Sequence, residues 1–253
     1  MTNFVRAAMA VALLSLVGAT AAAQPVSRLK GRVVTEKGEP VKGADVKAEA
    51  FFGFAAGDFA GQRTFATTTN DKGEWTIIGL KSGIWLFAVS APGRIPETVA
   101  LPIQLLVTVS SGASGLMLPW QLALKSAPVP DTSQGKLLTA AIDALRTEPE
   151  RVQAMMTAVP DGADGEWLGS AGRIVLATRN PGLAFPIFKQ AFERDPSSYR
   201  AALGVASASL LLRDFDTASR AFAAARDRTK DKDEQRFISA ALDDLRNVKG
   251  SNK

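Results

Sequence analysis

From residue 28 to about 125 the chain is written in short runs with a period of two. Ala44, Val46, Ala48 and Ala50 share one face of a run whose other face carries Asp45, Lys47 and Glu49. That alternation predicts a strand with one side in water. Further strands are predicted at Arg28–Thr35, Arg63–Thr69, Trp75–Leu80, Ile84–Ala91, Arg94–Leu101, Ile103–Val109 and Leu116–Lys125. In Ile84–Ala91 both faces are apolar, which predicts a central strand. The runs are separated by turn chemistry: Glu36-Lys37-Gly38-Glu39-Pro40, Asn70-Asp71-Lys72-Gly73 and Lys81-Ser82-Gly83. Pro96, Pro102 and Pro119 assign parts of the later strands to edges or corners. Seven or eight short strands with regular turns predict an antiparallel β-sandwich.

Past the proline-broken connector 126–133 the period changes to three and four. Leu137, Leu138, Ala141, Ile142 and Leu145 form one helical stripe, and Val152, Met155, Met156 and Val159 form a second between Pro149 and Pro160. From Glu166 on, the chain matches itself at an offset of 34 residues: Gly172 falls on Ala206, Ala184 on Ala218, Phe188 on Phe222 and Ala191 on Ala225. Small residues at these places let paired helices approach, and a Phe fills the gap between them. Pro186 is placed in a first helical turn after Asn180-Pro181-Gly182, Asp214 or Asp216 caps the partner helix, and Asp233–Val248 reads as a polar-faced closing helix. The fold class is therefore multidomain, β followed by α, with a sandwich at 28–125 and an antiparallel helical repeat at 134–248.

The first 23 residues have a different pattern. One basic residue, Arg6, precedes an apolar run from Ala7 to Gly18 and the small residues Ala19–Ala23. This is the form of a signal peptide cleaved after about Ala23, and the run is too short for a span of about twenty apolar residues. A periplasmic or secreted bacterial protein is expected, with no transmembrane segment in the mature chain.

Composition narrows the chemistry. The chain has 253 residues, no cysteine and no histidine. Thiolate nucleophiles, disulfides, His-ligated zinc and His-based triads are thereby excluded. The net charge of +5 is spread without a basic block, which argues against nucleic acid. Nothing in the sequence brings together a carboxylate pair such as Asp58 with Asp71 or Glu74. The chain is expected to be non-catalytic and to need no cofactor or metal.

Two family resemblances rest on the quoted motifs. Gly31-x-Val33 … Gly38-x-Pro40-Val41-x-Gly43-Ala44-x-Val46, then Thr69-x-Asp71-x-Gly73-x-Trp75 … Gly79-Leu80-x-x-Gly83-x-x-x-Phe87-x-Val89-x-Ala91-x-Gly93, resembles the carboxypeptidase regulatory-like domain, whose fold is a transthyretin-like (prealbumin-like) sandwich. The sequence departs from it at Trp75, where Phe or Tyr is usual, and in a longer excursion after the second strand. The peptidase domain that accompanies this module in metallocarboxypeptidases needs His ligands, so only the accessory module transfers. The 34-residue unit resembles the tetratricopeptide repeat. That resemblance implies partner binding along the concave face of the first helices, which would present Glu166, Gly169, Arg173 and Leu176, then Arg200, Leu203, Ser207 and Leu210.

Two surfaces emerge as candidates. The excursion carries Phe51, Phe52, Phe54 and Phe59 among Gly and Ala; either the rings fold back to cap the sandwich, or they form an apolar patch for a partner or glycan. On the helical side Arg173 and Arg200 can hold a carboxylate, or they simply keep the surface soluble. The function expected is that of an exported scaffold binding an envelope protein or peptide. The alternative is a carbohydrate- or cell-wall-binding accessory that uses the sandwich.

Overall fold

The computed structural model describes residues 26–53, 64–103 and 115–251. The expected signal peptide, Phe54, Asp58, Phe59 and most of the strand expected at 103–109 lie outside them. Among the described residues seven strands come first: β1 (Val26–Thr35), β2 (Asp45–Gly53), β3 (Thr64–Thr68), β4 (Glu74–Ile78), β5 (Gly83–Ser90), β6 (Glu97–Ile103) and β7 (Gly115–Ser126). Seven helices follow: α1 (Ser133–Ala144), α2 (Pro149–Thr157), α3 (Gly165–Ala177), α4 (Pro181–Arg194), α5 (Tyr199–Leu211), α6 (Phe215–Arg228) and α7 (Lys232–Ser251). Among the described residues no helix is long and apolar enough to cross a membrane.

The strands form two sheets, ordered β4-β1-β7 and β3-β2-β5-β6. In the second sheet Val46 pairs with Val89, Ala48 with Phe87 and Ala50 with Trp85, so the alternation read in β2 points Val46, Ala48 and Ala50 into the core. Leu29, Val33, Trp75 and Ile77 meet them from the other sheet, all buried. As its two-faced pattern implies, β5 is central, buried between β2 and β6. One pairing departs from the antiparallel expectation: β1 and β7 run parallel. A parallel pair cannot be closed by a hairpin. The chain accordingly leaves β1, completes the other strands and returns to β1 last.

The turns are held by the chemistry their residues suggest. Asn70 Oδ1 accepts from the amides of Lys72 and Glu74, both at 2.9 Å, and Gly73 adopts φ 71°, where a side chain would be strained. Thr69 ties the β1–β2 connection from inside, its hydroxyl donating to the Val41 carbonyl (2.6 Å) and accepting from the Ala44 amide (2.9 Å).

The helical half repeats in space at the period read from the chain. Helices α3 and α5 start 34 residues apart, as do α4 and α6. Their caps correspond: Asp164 with Ser198, and Asn180 with Asp214, each side chain accepting from the amide three residues on. The turn residues Arg179 and Arg213 correspond too, at φ 64° and 63°. Phe188, fully buried on α4, lies against Gly172 of α3 and Gly204 of α5. Pro186 differs from expectation. It occupies the second turn of α4, not the first, so the amide it lacks would have bonded the carbonyl of Gly182.

Residues 127–129, expected as a plain connector, pair with the chain at 93–95. Ile95 donates to the Ala127 carbonyl (2.9 Å) and Val129 to the Gly93 carbonyl (3.1 Å). The connector is thus fastened to the sandwich before α1 begins.

Candidate partner-binding surface

In the helical half, α3 and α5 turn one face toward the sandwich, and Arg173 and Ser207 lie on it, while Leu203 is buried. Strand β6 is seated there. It is an edge strand of its sheet, with β5 as its one strand partner among the described residues, and all seven of its residues are buried. Its free side meets helices instead of a further strand. The Ala100 amide donates to Ser207 Oγ at 3.1 Å, and the Thr98 hydroxyl donates to the Arg173 carbonyl at 3.1 Å. Covering an edge with helices also protects it from pairing with another chain.

Charge is buried at the start of this strand. Glu97 Oε2 lies 3.9 Å from Arg173 Nε, and the two side chains are 9% and 6% exposed. Arg173 Nε has no hydrogen-bond partner, while its Nη2 donates to Ser170 Oγ at 3.1 Å. Burial pushes the Glu97 carboxyl above its ordinary value, against the pull of Arg173 and Arg200. It likewise lowers Arg173, which Glu97 opposes. Around them, Tyr199 donates to Glu234 Oε1 at 2.7 Å, and the Thr229 hydroxyl donates to the other oxygen of the same carboxylate. Burial and the Glu234 charge raise the Tyr199 phenol, so it stays protonated. Arg200 pairs with Glu36 in the turn after β1 at 3.0 Å. Burial alone would lower Arg200, but Glu97, Tyr199 and Glu36 together raise it, and it stays charged.

What stays open is a cleft of about 440 Å³ at the N-terminal ends of α3 and α5, lined by Glu36, Glu166, Gly169, Arg173, Tyr199 and Arg200 among others. Gly169 forms part of its wall, and a Cβ built there would meet nothing within 4 Å. A second groove, of about 900 Å³, runs over the outer face of the β3-β2-β5-β6 sheet, with Lys47, Thr68 and Ser90 on one side and Leu145 and Arg146 on the other.

The structure thus brings Glu166, Arg173 and Arg200 to one cleft. It places Ser207 apart from them, with no exposure, under β6. The concave face was expected to be open to a partner; over Arg173 and Ser207 it is taken by the chain's own strand. Of the Phe-rich excursion, Phe51 and Phe52 lie within the described residues. Phe51 and Phe52 are half-buried at the end of β2, where Phe51 is the extra residue of a bulge between Ala50 and Phe52. Arg179 stands over the Phe51 ring at 5.6 Å and Arg213 over Phe52 at 4.3 Å, and Phe215 lies 6.4 Å from Phe52. These two rings therefore cap the helical turns. Glu97, Thr98, Tyr199 and Glu234 were not anticipated. A lone acid in the apolar run 95–103 was the available signal.

No protein-family model matches the chain, and no curated protein matches it. Among solved structures, PcrH from Pseudomonas aeruginosa is similar at 17% identity, over 47% of this chain and 94% of that one, with a TM-score of 0.39. The Yersinia enterocolitica type III secretion chaperone SycD, solved with a peptide of the translocator YopD, is similar at 18% identity over 47% and 93%, again at 0.39. The major pilin SpaD from Corynebacterium diphtheriae is similar at 22% identity over 40% of this chain and 30% of that one, with a TM-score of 0.29.

Proposed function

We propose that the protein is a non-catalytic scaffold, exported to the bacterial envelope, that binds a protein or peptide partner at the rim of the cleft between α3 and α5. In this reading the β half is a carboxypeptidase regulatory-like sandwich of the transthyretin type, and the helices are tetratricopeptide units. The observation that carries it is the convergence of Glu166, Arg173 and Arg200 on an open cleft of about 440 Å³ beside a concave face otherwise filled from within. Absence of histidine and cysteine from the chain supports the non-catalytic part, and the leader-like segment at 1–23 supports export. The test is capture from envelope extract with full-length bait. Glu166→Ala with Arg200→Ala should lose the partner held by the wild type. Unchanged capture by the double variant would remove the cleft from consideration.

A carbohydrate-binding reading has its own observation. A polar cleft of about 380 Å³ at the open β3–β4 side is lined by Lys30, Thr67, Thr68, Asn70, Glu74 and Trp75. The Trp75 indole N–H is buried there without a hydrogen-bond partner. Pelleting with cell-wall polysaccharide that falls on Lys30→Ala/Glu74→Ala would favour this reading, and pelleting that ignores both changes would dismiss it.

A further inference from the structure

We infer that strand β6 is a resident ligand of the helical groove, an internal latch that keeps the groove from external segments until β6 leaves it. The contacts have the chemistry of recognition. A buried sheet edge has to find partners for its outward backbone groups, and here the groove supplies them from side chains and helix carbonyls that an extended segment of another chain could use as well. Here the edge amide of Ala100 is read by a buried hydroxyl, Ser207, and the Thr98 hydroxyl is read by a helix carbonyl. The acid that opens the strand, Glu97, is set into a buried charge cluster with Arg173, whose guanidinium has an Nε without a hydrogen bond. An extended segment from another protein with an acid followed by small residues could make the same contacts.

The topology makes the latch separable. Because β6 is at an edge and, among the described residues, paired with β5 only, it can leave without dividing the sheet, whereas removing β5 or β2 would. Leaving exposes seven buried residues, so the closed form dominates. The inference deepens the partner-binding reading. Its test uses a segment of this chain as probe, so it can fail while an envelope partner is still captured, and the reverse.

The probe is a labelled peptide with the sequence of residues 95–103, used with the full-length chain. Glu97→Lys sets like charges together and should loosen the resident strand. The peptide should then bind this variant roughly tenfold or more tighter than the wild type, as expected when a competing internal ligand is weakened. A peptide with Lys in place of its Glu should lose that gain. Glu97→Lys combined with Arg173→Glu should close the groove again and return uptake of the Glu peptide to the wild-type level. Equal affinity of wild type and Glu97→Lys, or indifference to the peptide's charge, overturns the inference. Should Glu97→Lys fail to fold, native-state amide exchange of the wild type decides. Amides of β6 should exchange through an opening less costly than global unfolding, while those of β2 need the global event. Exchange of both sets only by global unfolding also overturns it.

Discussion

Replacing glycine by alanine at Gly204 and at Gly169 should change stability in opposite directions, although both glycines are interior positions of helices. Alanine favours a helix over glycine by about 0.5–1 kcal/mol, through backbone entropy, at either place. Tertiary surroundings set the sign. At Gly204 a Cβ would overlap Cδ1, Cε1 and Cγ of Phe188, the last at 2.7 Å. The ring has no room to yield, because its other side lies against Gly172, where an added Cβ would sit 2.7 Å from ring carbons. Overpacking of this kind costs about 1–3 kcal/mol. Subtracting the helix gain leaves a net cost of about 0–2.5 kcal/mol, and the 2.2 Å approach to Cδ1 puts Gly204→Ala in the upper part of that range. At Gly169 the new methyl enters the open cleft and meets nothing within 4 Å, so the helix gain stands alone. That variant should be more stable by up to about 1 kcal/mol. Urea unfolding followed by far-UV circular dichroism resolves a gap of this size. A second arm tests the cause: Phe188→Ala should cost much less in the Gly204→Ala background than in the wild type, since it removes Cγ, Cδ1 and Cε1, the carbons that overlap. The reasoning is refuted if both glycine changes shift the midpoint in the same direction, or if the cost of Phe188→Ala is equal in both backgrounds.

Two further outcomes follow from the interface. Burial raises the Glu97 carboxyl above its ordinary value, so at pH values between the two the folded state holds a proton there that the unfolded chain has released. The contribution of this group is fully present below that ordinary value and is lost as pH rises through the folded one. Glu97→Gln should flatten this part of the stability-versus-pH curve, read as urea midpoints between about pH 4 and 8; an unchanged slope would show that Glu97 does not carry it. Phe52→Ala removes the contacts with Arg213 and Phe215 at a half-buried site and should cost about 1–2 kcal/mol while leaving partner capture intact. Loss of capture in a folded Phe52→Ala protein would return this ring to the partner-binding surface.

Much of the local structure was legible in the chain because its causes are local. The turn at Asn70–Gly73 follows from an amide side chain that can bond its own backbone and a glycine that tolerates φ 71°. The alternation in β2 follows from the pleat, and the 34-residue spacing of α3 and α5 follows from a repeated unit with the same capping positions. Strand β5 revealed its central place by carrying apolar side chains on both faces.

The site was only half legible. The spacing of the repeat put Glu166, Arg173 and Arg200 on one surface, and the structure brings them to one cleft. Periodicity states which face of an element is apolar or small; it does not state what covers that face. That choice is made between segments far apart in the chain, and it decided three things. Strand β7 returns to lie parallel to β1, Phe51 and Phe52 cap the helical turns under Arg179 and Arg213, and β6 fills the groove over Arg173 and Ser207. The sequence by itself determined the elements and their repeat. Only the packing of one half against the other decided that the surface expected to receive a partner is occupied from within, because burying an edge strand and a charged pair together required both halves in place.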